Sequence, residues 1–149
     1  MYKHILVPTD GSPLSNKAVK AATELARKIN ARVTALNVMP RFVPPMAEEA
    51  AVAYTNVYSE AEFRKSTEKA AAKVLAKARD AVEAGKVKCD TVAVAGATPW
   101  ETIIDTAKGQ KCDLIVMASH GRRGLAGVLL GSETSKVLTH SKTPVLVCR

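Results

Sequence analysis

Short apolar runs alternate along this chain with longer segments of helical periodicity, and this alternation restricts the possible folds more than any other feature. Apolar runs predict strands at 3–8, 32–38, 89–95, 113–119 and 144–148. The run from Leu114 to Met117 is apolar at successive positions, which is typical of a parallel strand covered on both faces. The pattern predicts an α/β fold with helices on both faces of a parallel sheet.

Helix patterns fill the intervals between these strands. They are predicted at about 12–30, at about 57–84, from 98 onwards, and from about 132 to before 143. Ser12 is expected to cap the first helix, and Thr98 with Glu101 predicts a capping box at the third. The segment 39–54 is too rich in proline at its start for a regular element, so it is expected to be a lid, a binding loop or disordered.

The composition indicates one globular domain. The 149 residues are 47% hydrophobic and 24% charged, which is too apolar for a disordered chain. No apolar run approaches the ~18 residues of a membrane-spanning helix, and no signal peptide is expected. The three cysteines, Cys89, Cys112 and Cys148, are an odd number without CxxC spacing. Reduced, buried thiols in a cytoplasmic protein are therefore expected.

A net charge of +8 raises the question of nucleic-acid binding. Four lysines are spaced as one line along the second predicted helix, at Lys65, Lys69, Lys73 and Lys77. Aromatic side chains, which stack on single-stranded bases, make up only 4% of the chain, and acidic residues interrupt the basic line. A solvated helix face is therefore favoured over a nucleic-acid site, although the basic surface would still attract an anionic ligand.

The segment 118–132, ASHGRRGLAGVLLGS, combines backbone freedom with positive charge directly after the fourth predicted strand. Ligands of open α/β sheets bind at the carboxyl ends of the strands, and a helix N-terminus favours phosphate. The residues expected to form a phosphate cradle are Ala118, Gly121, Arg122, Arg123, Gly124, Gly131, Ser132 and Thr134. Neither GxxxxGK[ST] nor GxGxxG occurs, so this is not a standard nucleotide motif. The alternative is that the glycines only form turns and Ser132 only caps a helix.

Long stretches of the chain resemble the universal stress protein family. They are ILVPTDGS at 5–12, DLIVMASHGRRG at 113–124 and LLGSETSKVLTHSKTPVLV at 129–147. The nucleotide-binding branch of that family carries G-x2-G-x9-G-[S/T], and this chain has Ala118, Gly121, Gly131 and Ser132 at that spacing, with alanine in place of the first glycine. The resemblance implies a single domain, 1–149, with a Rossmann-like five-stranded parallel sheet of strand order 3-2-1-4-5 and two helices on each face.

The resemblance also implies a binding site for ATP, AMP or ADP. By position, the binding residues would be Pro8, Thr9, Asp10, Val38, Met117, Ala118, Gly121, Arg122, Gly131, Ser132, Glu133 and Thr134. The first five would lie around the adenosine, and the others around the ribose and phosphates. A Mg²⁺ or Mn²⁺ ion would be held by phosphate oxygens, since the sequence contains no metal-binding motif of its own.

The expected function is that of an ATP-binding stress-response module, and not of a fast enzyme. No catalytic residue is assigned, because no GxSxG nucleophile motif occurs and no residue is placed to activate water. The resemblance places Val145 and Val147 at the centre of a homodimer formed by the last strand. The alternatives are a dimeric interaction module that binds no nucleotide, a slow ATPase or transferase, including autophosphorylation at Ser132 or Thr134, and a monomer whose long loop covers the sheet edge.

Overall fold

Strands and helices alternate along the chain in the order that the sequence predicts. The structure, a computed structural model, describes residues 1–44, 59–121 and 130–149. Its elements are β1 His4–Pro8, α1 Pro13–Ile29, β2 Arg32–Met39, α2 Glu60–Ala84, β3 Cys89–Ala95, α3 Pro99–Gly109, β4 Leu114–Ala118, α4 Ser132–His140 and β5 Val145–Cys148. Each strand begins and ends within one residue of its predicted bounds, because continuous apolar runs flanked by polar residues, glycine or proline mark a buried strand clearly.

The strands form one parallel sheet in the order β3-β2-β1-β4-β5. β1 lies at its centre, where Ile5 is opposite Val33 of β2 on one side and Leu114 of β4 on the other. The expected strand order, 3-2-1-4-5, is confirmed. β5 pairs with β4 and lies at one edge of the sheet.

Two apolar cores lie on opposite faces of the sheet. Ile5 and Val7 belong to the core beneath α1 and α2, whereas Leu6 belongs to the core beneath α3 and α4. All three side chains are completely buried. The helices contribute Val19, Leu75 and Val82 to the first core and Ile103, Ala107 and Val137 to the second. Two helices therefore cover each face, as expected.

The first two helices begin where their own sequence provides a cap. The Ser12 hydroxyl accepts a hydrogen bond from the N–H of Ser15 at 3.2 Å, which confirms it as the cap of α1. α2 begins at Glu60, about three residues later than predicted, since Ser59 and Glu62 cap each other's backbone N–H groups at 2.9 and 3.2 Å.

The start of α3 differs from the sequence prediction. Thr98 occupies the cap position, but its side chain makes no capping hydrogen bond, so the predicted capping box with Glu101 is wrong. The backbone N–H of Trp100 instead donates to the carboxylate of Glu133, in α4, at 2.9 Å. An acceptor from a distant part of the chain has taken the place of the local one.

Some sequence expectations fall on parts of the chain that the structure does not describe. Residues 45–54 of the predicted loop and residues 122–124 of the predicted cradle lie outside the described ranges. Within those ranges, no helix has the length and apolar character needed to cross a membrane. Cys89 and Cys112 are buried and Cys148 is half-buried, all as free thiols. Burial raises the pKa of the Cys112 thiol to about 11, so it remains protonated.

A histidine is buried in the central strand. His4 is 3% exposed, and its Nε2 lies 2.7 Å from the hydroxyl of Thr34 on β2. Burial lowers the pKa of His4 below its ordinary value, the positive charge of Arg32 lowers it further, and the Gln110 backbone and the Asp113 carboxylate oppose this only in part. The imidazole therefore stays neutral in the fold at pH values where an exposed histidine would be charged.

This burial predicts acid-dependent stability. Well above pH 6.5, the ordinary pKa of histidine, His4 is neutral in both states and the fold keeps its full stability. Below pH 6.5, His4 binds a proton in the unfolded chain but stays neutral in the folded protein. We expect the free energy of unfolding to fall by up to about 1.4 kcal/mol per pH unit until the lowered pKa is reached. Chemical denaturation between about pH 7.5 and about pH 5 measures this. H4N should flatten that dependence; equal slopes in H4N and the unaltered protein would contradict the assignment.

Candidate functional site

The strand order reverses direction between β1 and β4. The chain leaves β1 towards β2 and β3 on one side, then returns to β4 and β5 on the other. The carboxyl ends of β1 and β4 therefore open into a crevice, which is where ligands bind in sheets of this kind. The β1–α1 turn, the end of β4 with residues 119–121, and the start of α4 all meet there.

The β1–α1 turn holds Asp10 in a fixed position. The N–H of Thr9 donates to the carbonyl of Leu36 at 2.8 Å, which ties the turn to β2. Oδ1 of Asp10 accepts from the N–H of Ser12 at 2.9 Å, in a local side-chain turn. Gly11 has a φ of 76°, a left-handed conformation that glycine adopts without strain.

Gly121, three residues after β4, comes close to this aspartate. A Cβ atom at Gly121 would lie 2.9 Å from Oδ2 of Asp10. Any side chain at this position would have to displace the carboxylate or move the loop. The structure thereby brings Asp10 and Gly121, two predicted site residues 111 positions apart, close together.

The start of α4 is fixed beside the same crevice. The N–H of Gly131 donates to the carbonyl of Ser119 at 2.7 Å, and the N–H of Ser119 donates to the carbonyl of Cys148 at 2.7 Å. Gly131, the cap residue of α4, has no side chain with which to accept from the first turn. In the first intrahelical bond the N–H of Ser135 donates to the carbonyl of Gly131. The N–H groups of residues 132–134 precede this bond and are suited to an anion.

Two predicted phosphate contacts have other roles in this structure. The hydroxyl of Thr134 donates to the carbonyl of Ala118 at 3.0 Å, and Thr134 is only 2% exposed. The carboxylate of Glu133 accepts from the N–H of Trp100 in α3. Ser132, by contrast, is exposed at the first position of α4. Thr134 is thus buried and Glu133 half-buried, whereas Ser132 is exposed.

Ala118 replaces the first glycine of the family pattern, and its methyl group has a defined location. Alternate residues of a strand face opposite sides of the sheet, and Ala118 shares its side with Leu114 and Val116, which lie in the core beneath α1 and α2. Met117 faces the other core. The Ala118 side chain is 8% exposed. The methyl group therefore points beneath α1, away from the side that Met117 lines.

Three of the five residues expected around the adenosine share one face of the sheet. Val38 and Met117 both pack against the core beneath α3 and α4. Pro8 has the same parity as Leu6 and lies on that face at the end of β1. Pro8, the last residue of β1, is opposite Leu36 of β2. Val38 therefore lies on β2, two residues beyond the end of β1. An apolar wall therefore adjoins the crevice on the α3–α4 side.

Asn37 belongs to the site, although the sequence analysis did not select it. Its amide Nδ2 donates to the carbonyl of Thr9 at 2.8 Å and so closes the β1–α1 turn from β2. The sequence feature that could have identified Asn37 is a polar residue near the carboxyl end of a buried strand. Arg122 lies outside the described residues. Among those described, no group of three or more His, Cys, Asp or Glu side chains is placed to hold a metal ion.

A family model for the universal stress protein family matches residues 1–149. The chain is 34% identical over 149 residues to universal stress protein MJ0531 of Methanocaldococcus jannaschii. This alignment covers 100% of this chain and 83% of that protein. The solved structure of UspA from Lactobacillus plantarum has a TM-score of 0.82 at 28% identity, over 99% of this chain and 98% of that one.

A further solved relative is a universal stress protein in complex with cAMP. It has a TM-score of 0.71 at 29% identity and covers 99% of this chain and 97% of that one. These matches confirm the family that the sequence motifs indicated, and they extend over both halves of the sheet. The chain belongs to the universal stress protein family.

Proposed function

We propose that this protein binds an adenine nucleotide in the crevice between β1 and β4 and acts as a stress-response binding or switch module. The observation that carries the proposal is the close approach of Gly121 to Asp10 beside the start of α4. The backbone of Gly121, the carboxylate of Asp10 and the N-terminus of α4 are thereby close to one another. The complex of a similar protein with cAMP supports the same ligand class.

The residues of the crevice suit the parts of such a ligand. Pro8, Val38 and Met117 provide apolar surface for the base, and Asp10 provides an acceptor for a ribose hydroxyl or the base. The N–H groups and the Ser132 hydroxyl at the start of α4 would bind phosphate, together with Arg122. ATP, ADP or AMP would fit this arrangement, and a Mg²⁺ or Mn²⁺ ion would be held by phosphate oxygens.

The proposed activity is binding, with any hydrolysis slow. Nδ1 of His120 lies 3.3 Å from the Ser119 hydroxyl, but Ser119 is only 3% exposed, so this pair is poorly placed to attack a substrate. We propose a single domain over 1–149 in the cytoplasm. The free cysteines, whose thiol pKa values are raised by burial, fit a reducing compartment.

Bound nucleotide is the direct test. Freshly purified protein is denatured, released nucleotides are identified by mass spectrometry, and ATP, AMP and cAMP are titrated by calorimetry with and without Mg²⁺. We expect near-stoichiometric adenine nucleotide or a saturable heat of binding. A protein that releases no nucleotide and gives no heat with millimolar ligand would be an interaction module instead.

A paired glycine substitution tests the location of the site. In G121A the new methyl group would meet Asp10, so we expect at least about a tenfold loss of nucleotide affinity and a cost of about 1–2 kcal/mol in unfolding free energy. G109A is the matched control, because a Cβ at Gly109 meets nothing within 4 Å. Equal affinities in the two variants would place the nucleotide elsewhere.

We also propose a homodimer formed through β5. This edge strand carries Leu146 at 43% exposure, while Val145 packs against the core beneath α3 and α4. An apolar edge strand with one unpaired side favours pairing with a second copy, and Val145 and Val147 would then lie at the interface.

A charge on the edge strand tests this assembly. V147K should shift the protein to monomer in sedimentation at micromolar concentration, because a lysine in the interface would lose its hydration. L138K, at a residue 41% exposed on α4, is the matched surface control and should leave the assembly unchanged. An unaltered protein that sediments as a monomer would disprove the homodimer.

A further inference from the structure

The N-terminus of α3 is capped by a residue of another helix. Thr98 has φ −122° and ψ 101° and contributes no side-chain hydrogen bond to α3. Oε2 of Glu133 accepts from the N–H of Trp100 at 2.9 Å across a separation of 33 residues. The carboxylate also lies near the positive end of the α3 dipole, which favours a negative charge there.

Glu133 bonds with one carboxylate oxygen to a neighbouring helix. It is the second residue of α4, where a carboxylate commonly stabilises the N-terminus of the helix that carries it. Here one carboxylate oxygen bonds to α3, and the other lies 3.8 Å from Nζ of Lys136. The first-turn N–H groups of α4 are thus not occupied by this acidic side chain.

Trp100 also contacts the far end of α4. Its ring stacks on the imidazole of His140, the last residue of α4, with the ring centroids 4.7 Å apart and the planes at 31°. The same indole packs against the core beneath α3 and α4. Trp100 therefore contacts α4 at both ends. Its backbone N–H bonds to Glu133 in the first turn, and its ring packs on His140 in the last turn.

We infer that Glu133 is a positioning residue, which fixes the first turn of α4 to α3, and not a ligand of the nucleotide. This inference rests on the proposed function. Backbone N–H groups bind phosphate well only if they are already held in the required geometry, and displacements of about 1 Å weaken such sites. The bond to Trp100 supplies that restraint. It also engages the carboxylate, which would otherwise repel phosphate at the start of α4.

The variants E133A, E133Q and K136A separate this role from direct binding. In ligand-free protein, E133A should speed exchange of the Trp100 amide and shift its NMR resonance, and it should weaken nucleotide binding by about five- to tenfold. E133Q keeps an acceptor oxygen, so it should restore both readouts to within about twofold. K136A removes only an exposed ion pair and should leave both unchanged.

The opposite results are equally clear. An E133A variant that weakens binding without any change at the Trp100 amide would make Glu133 a direct ligand and overturn the inference. So would an E133A variant that binds nucleotide like the unaltered protein. If the unaltered protein binds no nucleotide, the proposed function fails and the positioning role fails with it. The Trp100 amide then still shows whether Glu133 joins the two helices.

Discussion

The burial of β1 on both faces is the constraint on which the rest of the structure depends. Its apolar side chains point in turn into two separate cores, so helices must cover the sheet on both sides. A central strand also needs neighbours at both edges, which β2 and β4 provide. The chain must therefore change direction beside β1. The crevice where it does so is a consequence of packing the core, and the predicted nucleotide site occupies it.

The geometry of that crevice depends on small residues and backbone hydrogen bonds. Gly121 allows the loop after β4 to approach Asp10, and the N–H of Gly131 fixes the start of α4 to the carbonyl of Ser119. These contacts involve no large side chain, and the cap residue of α4 makes no side-chain bond to the first-turn N–H groups. In the same way, the methyl group of Ala118 lies towards the core beneath α1, where it fits the interior of the protein.

The sequence predicted most of the fold because its signals are local. Apolar runs gave each strand to within one residue, and Ser12 was correctly identified as a cap, since strand burial and serine caps depend on adjacent residues. The cap of α3 was predicted wrongly for the same reason. Thr98 and Glu101 form a good local pattern, but Glu133 competes for the same N–H group from a position that the sequence pattern does not connect to it.

By itself, the sequence determined the elements, the family and the positions of the small residues that open the crevice. The tertiary structure decided which polar side chains remain available there. Glu133 and Thr134 directly follow the motif and were predicted to bind the ligand, yet their side chains are bonded to Trp100 and Ala118, whereas Ser132 is exposed. Periodicity and spacing are set by covalent neighbours within a few residues. The partner of a side chain is set by long-range packing, which brings residues from separate helices and strands within hydrogen-bond distance.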